Sequence, residues 1–432
     1  MPLSRLLALS LGFCAAACAA PDPSQRDAAT ATTADTEAWS AEGAYATFRE
    51  QMDSYYPYLD RRGFDGPAYL DRARAGLVQA SSAEDFGQRL DRVLLAFADP
   101  HLDVVPRADG GATVFPTEAD LRVIMEGGEA VIRDVRRGSA AAEAGLRPGM
   151  RISHVDGDPV AARVSEAFDP ALGGPPQNWQ ADHAATLLVN GPLGADGRVL
   201  RVDGRDTALP SPRGFSDAVE AMPLVDTERL DADTVLIRPN NRLYDNDTIG
   251  AFDNALRDSL ADGATQVIVD MRNSPSGGNT EVARSIIGHF TDAPAPYMMI
   301  EIPVLEREYG VRRRFVEHVF PREPYVPPER AVVLAGTWTG SVGETVVVGL
   351  DAVGVHSIGT GMGDLLGGYS IGPLDDYGNG VRATITNDAV FAPDGLPRED
   401  FVPATELPAA DMDANGRDPA VRAALAHFAR AG

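Results

Sequence analysis

The stretch VVLAGTWTGSVGETVVVGL, from Val332 to Leu350, constrains the fold more than any other part of this chain. An apolar run ends in a Gly/Thr-rich turn, and Ser341 follows where a second apolar run begins. That second run, Thr345 to Val353, carries only Asp351 as a charge and is long enough to be a buried helix. Buried strand, turn and buried helix in that order belong to a layered α/β core. A serine between strand and helix has its hydroxyl turned out of the backbone path, beside the free N–H groups of the first helical turn. Negative charge forming on an oxygen there meets a partial positive charge. The position suits a nucleophile, and it suits an ordinary helix N-cap equally well.

Charge narrows the chemistry. The formal net charge is −25, which argues against nucleic acid and anionic membrane surfaces as partners, since both need clustered cations. All 38 basic residues are arginine. A Ser–Lys dyad and a lysine Schiff base are therefore excluded. No His-x-x-x-His or paired-cysteine spacing suggests a metal ligand set. The glycine run at Gly359, Gly361 and Gly363 lacks the lysine of a phosphate-binding loop. Neither a metal nor a cofactor is expected.

The chain divides into five segments. Residues 1–20 combine Arg5, an apolar run from Leu6 to Ala17, and small residues, as an export signal does. Ala15 to Cys18 resembles a bacterial lipobox, so Cys18 is a candidate lipid anchor and the chain's one expected route to a membrane. Cleavage after an Ala-x-Ala would instead release the protein. With Cys14 and Cys18 the only cysteines, the folded part holds no disulfide if processing falls at or after Cys18. Residues 21–36 read as a tether without large apolar side chains. Residues 37–110 are helical, with Phe48, Met52 and Tyr55/Tyr56 at helical spacing, then Phe86, Leu90, Val93, Leu94 and Phe97. Pro100 ends that pattern, and a short strand is expected after it.

Residues 111–212 change character. Leu121–Met125 and Ala130–Val135 alternate as strands do, and Gly138 to Pro159 supplies an Ala-rich helix, a GLRPG turn, a strand and an Asp-Gly hairpin. This module resembles the PDZ domains of bacterial proteases. The resemblance implies capture of extended polypeptide by strand addition at a sheet edge. Pro116 to Asp120 stands where the glycine-rich carboxylate loop is usual, and its acidic residues disfavour a free chain end. The alternative is a module that packs against its neighbour and gates the site.

Residues 213–432 alternate strand and helix. Asp233–Arg238, Gln266–Asp270, Tyr297–Pro303 and Ala331–Ala335 are expected strands. Asp247–Leu260 and Thr280–Phe290 are expected amphipathic helices. Asp270 to Asn279 runs from strand to helix and contains Gly277 and Gly278, whose backbone can approach a ligand closely and point amides at an oxyanion.

A PDZ-like module, then Asp-x-Arg-Asn with Gly-Gly, then Thr-x-Ser-x-x-Glu at Thr339, Ser341 and Glu344, resembles the tail-specific (C-terminal-processing) serine peptidases, whose core is related to the ClpP/crotonase fold. The resemblance covers most of residues 40 to 407. It implies a multi-domain α/β protein: a helical N-terminal domain, a β-rich PDZ-like domain and a peptidase core. It also implies Ser341 as nucleophile, with the amides of Val342 and of Gly277 or Gly278 as oxyanion hole. The lysine of most members is missing from Ile358–Gly368, so the likeness is to the Lys-less branch resembling the tricorn protease core. That branch uses a histidine from an Asp-x-His-Thr motif. Here Asp99, His101 and Leu102 stand there, and His101 is the implied base, with an unperturbed pKa of about 6.5. Activity is then expected to fall below that pH. Glu399, in the counterpart of a C-terminal glutamate motif that has lost its glycines, is the candidate to orient the ring. The other histidines, His154, His183, His289, His318, His356 and His427, read as structural, with His356 the one rival base.

The function implied is an exported serine endopeptidase acting through an acyl-enzyme, periplasmic or anchored to the envelope, or secreted. A non-catalytic peptide- or lipid-binding protein on the same scaffold is the alternative from another class, and an ester hydrolase a third.

Overall fold

A computed structural model describes residues 39–106, 115–191, 197–211, 222–311, 313–368 and 376–431. The export signal, tether, Cys14 and Cys18 lie outside the described residues.

Three capped helices lead. Ser40 caps α1 (Ala41–Tyr55), Asp65 caps α2 (Gly66–Leu77) and Ser82 caps α3 (Ala83–Leu94), each side-chain oxygen accepting a first-turn N–H. Phe48, Met52, Tyr69, Leu70, Phe86 and Leu90 form their common buried face. A 3-10 turn, Leu95–Phe97, and a left-handed Ala98 (φ +46°) then turn the chain into β1 (Asp103–Val105).

An antiparallel sheet follows. Its strands are β2 (Leu121–Glu126), β3 (Glu129–Val135), β4 (Arg151–Val155) with the short β5 (Asp158–Pro159) beside it, β6 (Arg198–Val202) and β7 (Arg205–Leu209), in the spatial order β2-β3-β4-β6-β7. Helices α4 (Ala140–Glu143), α5 (Val160–Ala167) and α6 (Asn178–Asn190) are inserted in this run. Alternate residues of β2 and β3, among them Leu121, Val123, Ile132 and Ala130, face the core.

The remaining chain builds a six-stranded sheet in the order β17-β14-β13-β10-β9-β8. Its strands are β8 (Val225–Arg229), β9 (Thr234–Pro239), β10 (Gln266–Asp270), β13 (Ala331–Ala335), β14 (His356–Gly359) and β17 (Thr405–Glu406). All neighbours are parallel except β8, which runs antiparallel to β9. Both faces are covered, which is why these strands read as unbroken apolar runs. Val235, Ile237, Val267, Val269 and Val333 share a core with α7 (Asp247–Ala261), α8 (Thr280–Ile287) and α10 (Val342–Ala352). Leu236, Ile268, Val332, Leu334 and Ile358 share another with α11 (Pro419–Ala431). Each such side chain contributes about 1.5–3 kcal/mol on burial. A smaller sheet, β12-β11-β16, joins β11 (Ala295–Glu301), β12 (Arg314–Val319) and β16 (Ala389–Phe391), with α9 (Pro303–Tyr309) between β11 and β12 in the chain.

The mixed α/β architecture expected from the apolar patterning is the one observed. Helix α10 begins at Val342, three residues before the apolar run itself, because Ser341 and Glu344 form a capping pair. Helix α8 stops at Ile287 and a 3-10 turn completes the expected span to Phe290. Helix α6 was not foreseen; its 13 residues carry a weak amphipathic pattern.

Candidate active site

Parallel strands leave their ligand-binding loops at their carboxyl ends. In this sheet β10, β13 and β14 lie side by side, with Asp270 opposite Leu334 and Ala335 opposite Gly359. Three loops therefore emerge together: 271–279, 336–341 and 360–368. The first two are stitched together by backbone and side chain. Gly340 N–H donates to Ser274 O at 2.9 Å, and Thr339 Oγ1 donates to Met271 O at 3.2 Å while accepting the Gly336 N–H at 3.1 Å. Beneath them Asp270 is fully enclosed by Arg238 and Arg272, which hold its carboxyl far below the usual carboxylate range against the opposing effect of burial. The Asp-x-Arg part of the motif is thus a scaffold under the loops.

Ser341 is the last residue before α10 and has φ +52°, ψ −116°. A non-glycine residue in that region is strained, and the strain turns its side chain out at the sharp strand-to-helix corner, as a nucleophile elbow does. Glu344 Oε2 accepts the Ser341 N–H at 2.8 Å. Gly277 (φ +72°) lies directly against the serine: a Cβ on it would fall 2.7 Å from Ser341 Oγ and 3.1 Å from Val342 N. Gly278 instead packs on the backbone of Leu243. Among the described residues, the amides of Gly277, Gly278 and Val342 donate to no protein acceptor.

His101 meets the 360–368 loop, on a segment anchored by a strand pairing that only the fold supplies, and no hydrogen bond between its ring and Ser341 is seen among the described residues. Strand β1 pairs antiparallel with β15 (Arg382–Thr384), placing Asp103 opposite Thr384. The ring is buried, with Nδ1 2.8 Å from the Leu366 carbonyl oxygen. A carbonyl only accepts, so Nδ1 carries the proton and Nε2 is the basic nitrogen. Asp99 fixes the same segment: its Oδ1 accepts the His101 N–H at 2.9 Å and its Oδ2 the Tyr56 hydroxyl at 3.0 Å. Burial pushes the His101 pKa down to about 4 and that of Asp99 up to about 6.

Two residues that sequence reasoning did not single out complete the neighbourhood. Arg398 is buried and donates to Thr345 Oγ1 at 3.0 Å, to Gly367 O at 2.7 Å and to Leu365 O. It also pairs with Glu344 Oε2 at 3.6 Å. One guanidinium thereby joins the Ser341–Glu344 corner to the loop whose Leu366 carbonyl orients His101. Asp388 accepts the Gly368 N–H at 2.6 Å, and its charge raises the His101 pKa, opposing burial and Arg398. Nothing in a lone arginine or a lone aspartate on a loop marks either one.

The Leu366 carbonyl accepts from the imidazole at Nδ1, and no hydrogen bond between Glu399 and the ring is seen among the described residues. Glu399 lines an open cavity of about 570 Å³ with Thr337, Thr360, Met362 and Asp364, and burial raises its pKa. His356 faces the other side of the sheet, stacked on His427 at 4.1 Å and 2.8 Å from Thr405 Oγ1.

The fold is shared with solved peptidase structures over nearly its whole length. The chain is similar to a photosystem II D1 C-terminal processing protease, with a TM-score of 0.52 at 16% identity over 88% of this chain and 96% of that one. It is similar to mature CPAF, with a TM-score of 0.58 at 12% identity over 90% and 95%. A putative peptidase from Parabacteroides merdae gives 0.51 at 13% identity over 90% and 96%. No family model matches the sequence, and no curated protein matches it. The fold is that of the tail-specific peptidases.

Proposed function

We propose that this chain is an exported serine endopeptidase of the Lys-less, tricorn-core-like kind. Ser341 Oγ attacks a peptide carbonyl carbon while His101 Nε2 takes its proton. The amides of Val342 and of the Gly277–Gly278 turn receive the oxyanion. Collapse breaks the C–N bond, and His101 returns the proton to the leaving amine. Water then hydrolyses the acyl-enzyme by the same route. Leu366 O orients the ring, the Asp388 charge favours its protonated form, and Glu399 is the candidate carboxylate to support it from the cavity it lines. Residues 111–212 act as a PDZ-like module. Export, with Cys18 as a lipid anchor or removed with the signal, rests on residues 1–20. Among the described residues no helix is long and apolar enough to cross a membrane.

The observation that carries the reading is the strained Ser341 corner with Gly277 against its hydroxyl. The test is cleavage of unfolded casein, with fluorophosphonate labelling of the same protein. Wild type should cleave and label. Ser341→Ala should do neither, losing about 10³-fold or more in kcat. Unchanged turnover in that variant would reject Ser341, and a wild type that neither labels nor cleaves would leave a binding protein on a peptidase scaffold.

A further inference from the structure

Strand β2 is an edge. Strand β3 pairs with it on one side, and no other strand among the described residues pairs with it. The N–H and C=O groups on the open side come from alternate residues, and these are the groups an extended polypeptide would take by strand addition. Helix α6 takes them instead. The Met125 N–H donates to Asp182 Oδ1 at 2.7 Å, the Val123 N–H to Thr186 Oγ1 at 3.4 Å and the Leu121 N–H to Asn190 Oδ1 at 3.1 Å. In the other direction Thr186 Oγ1 donates to Val123 O at 3.2 Å, and Asn190 Nδ2 to Leu121 O at 2.8 Å. Asn190 Oδ1 also accepts the Asp120 N–H at 3.1 Å.

The ladder works because two periods nearly agree. Residues 182, 186 and 190 recur every four along the helix, about 6 Å per step. Residues 125, 123 and 121 recur every two along the strand, about 6.8 Å per step. A helix face and a strand edge, running antiparallel, can stay in step over two such repeats. Thr186 and Asn190 are almost wholly buried, so water does not compete for these groups.

The helix is also fixed from behind. Gln180, likewise buried, donates through Nε2 to Ala96 O at 2.6 Å and accepts the Gln177 N–H at 2.8 Å. Ala96 belongs to the 3-10 turn that leads to His101. Moving α6 off β2 would uncover alternate amides of the strand and detach the helix from the His101 segment together. The sheet is tied to the peptidase core as well: Asp134 accepts the amides of Ala410, Asp411 and Met412, and Thr117 Oγ1 donates to Pro275 O at 2.8 Å.

We infer that α6 is the permanent occupant of this groove, with Asp182, Thr186 and Asn190 standing where an extended peptide would lie. The PDZ-like module is then a fixed wall of the site and takes no polypeptide by strand addition at β2. Substrate is selected at the Ser341 cleft itself. The inference rests on the peptidase reading only in taking polypeptide as the ligand.

The experiment uses the full Ser341→Ala chain, with hydrogen exchange of the 120–126 amides and anisotropy of fluorescein-labelled, unfolded β-casein. The amides of Leu121, Val123 and Met125 should exchange slowly in the free protein and at an unchanged rate with saturating casein. Thr186→Val combined with Asn190→Leu should speed exchange at Leu121 and Val123 by about tenfold or more and leave casein affinity unchanged. If that variant does not fold, Asp182→Ala, which frees only the Met125 amide, is read in the same way. Slowing of these amides by casein, or an affinity gain of about tenfold in a variant, would overturn the inference and make α6 a displaceable plug. If casein binds neither parent nor variant, the peptidase reading fails, while slow exchange at Leu121 and Val123 that speeds up in the variant still supports an occupied groove, and equally fast exchange in both overturns it.

Discussion

Ser341 occupies a backbone region that costs about 1–3 kcal/mol, and it is held there by Glu344 on its amide and Gly277 against its side chain. Gly277→Ala would place a methyl 2.4 Å from Ser341 Cβ, on a residue whose φ of +72° already disfavours a side chain. A fall in kcat of about 10²-fold or more is expected, with a lower melting temperature; near-wild-type kinetics would remove Gly277 from the site. His101 yields a pH prediction opposite to the one its unperturbed pKa suggests. Burial favours the neutral ring, so its pKa falls to about 4. The ring stays unprotonated from pH 5 to 8, so with His101 as the proposed base kcat/KM should be flat there and fall only near pH 4. The sign for stability is the same. A depressed histidine pKa contributes stability above the unfolded value of about 6.5, lost as pH falls through the folded one. An acid limb near pH 6.5 would show the ring to be solvated in the working protein.

Among the elements, the 360–368 loop depends most on a distant residue. Arg398 binds its Leu365 and Gly367 carbonyls and the Thr345 hydroxyl, and sits beside Glu344. Arg398→Met would leave these buried acceptors unpaired, at a cost of about 3–5 kcal/mol. It would also remove a positive charge that lowers the His101 pKa. Thermal melts should show the loss, and the acid limb of activity should move to higher pH. A variant with unchanged stability and pH profile would show that the loop stands without Arg398. The strand–turn–helix around Ser341 was legible because its apolar runs and glycines are local. Helix α6 was not, because its buried polar residues are explained only by the strand edge they bond.

For the molecule as a whole, residues 39–432 form one compact unit. The carboxylate of Asp134, on β3, is one reason, since it gathers three successive amides of the segment before α11. Arg136, at the end of β3, lies 5.1 Å from the ring of the fully buried Trp338 in the Ser341 turn. Asp134→Ala should cost about 1–3 kcal/mol and raise proteolytic nicking near residue 410. Calorimetry and limited proteolysis would check this, and an unchanged melt would show that the packing around Trp338 suffices.

By itself the sequence determined what depends on neighbours along the chain. Runs of valine and isoleucine demanded a sheet covered on both faces. The Gly/Thr turn demanded a corner at Ser341, and the missing lysine removed one kind of base. The tertiary structure alone decided which distant groups meet. It set the His101 ring on the Leu366 carbonyl, brought Arg398 between two loops, and laid α6 along β2. The reason is physical: periodicity and turn chemistry act over a few residues, whereas a buried polar group finds its partner wherever the fold brings one within hydrogen-bond reach.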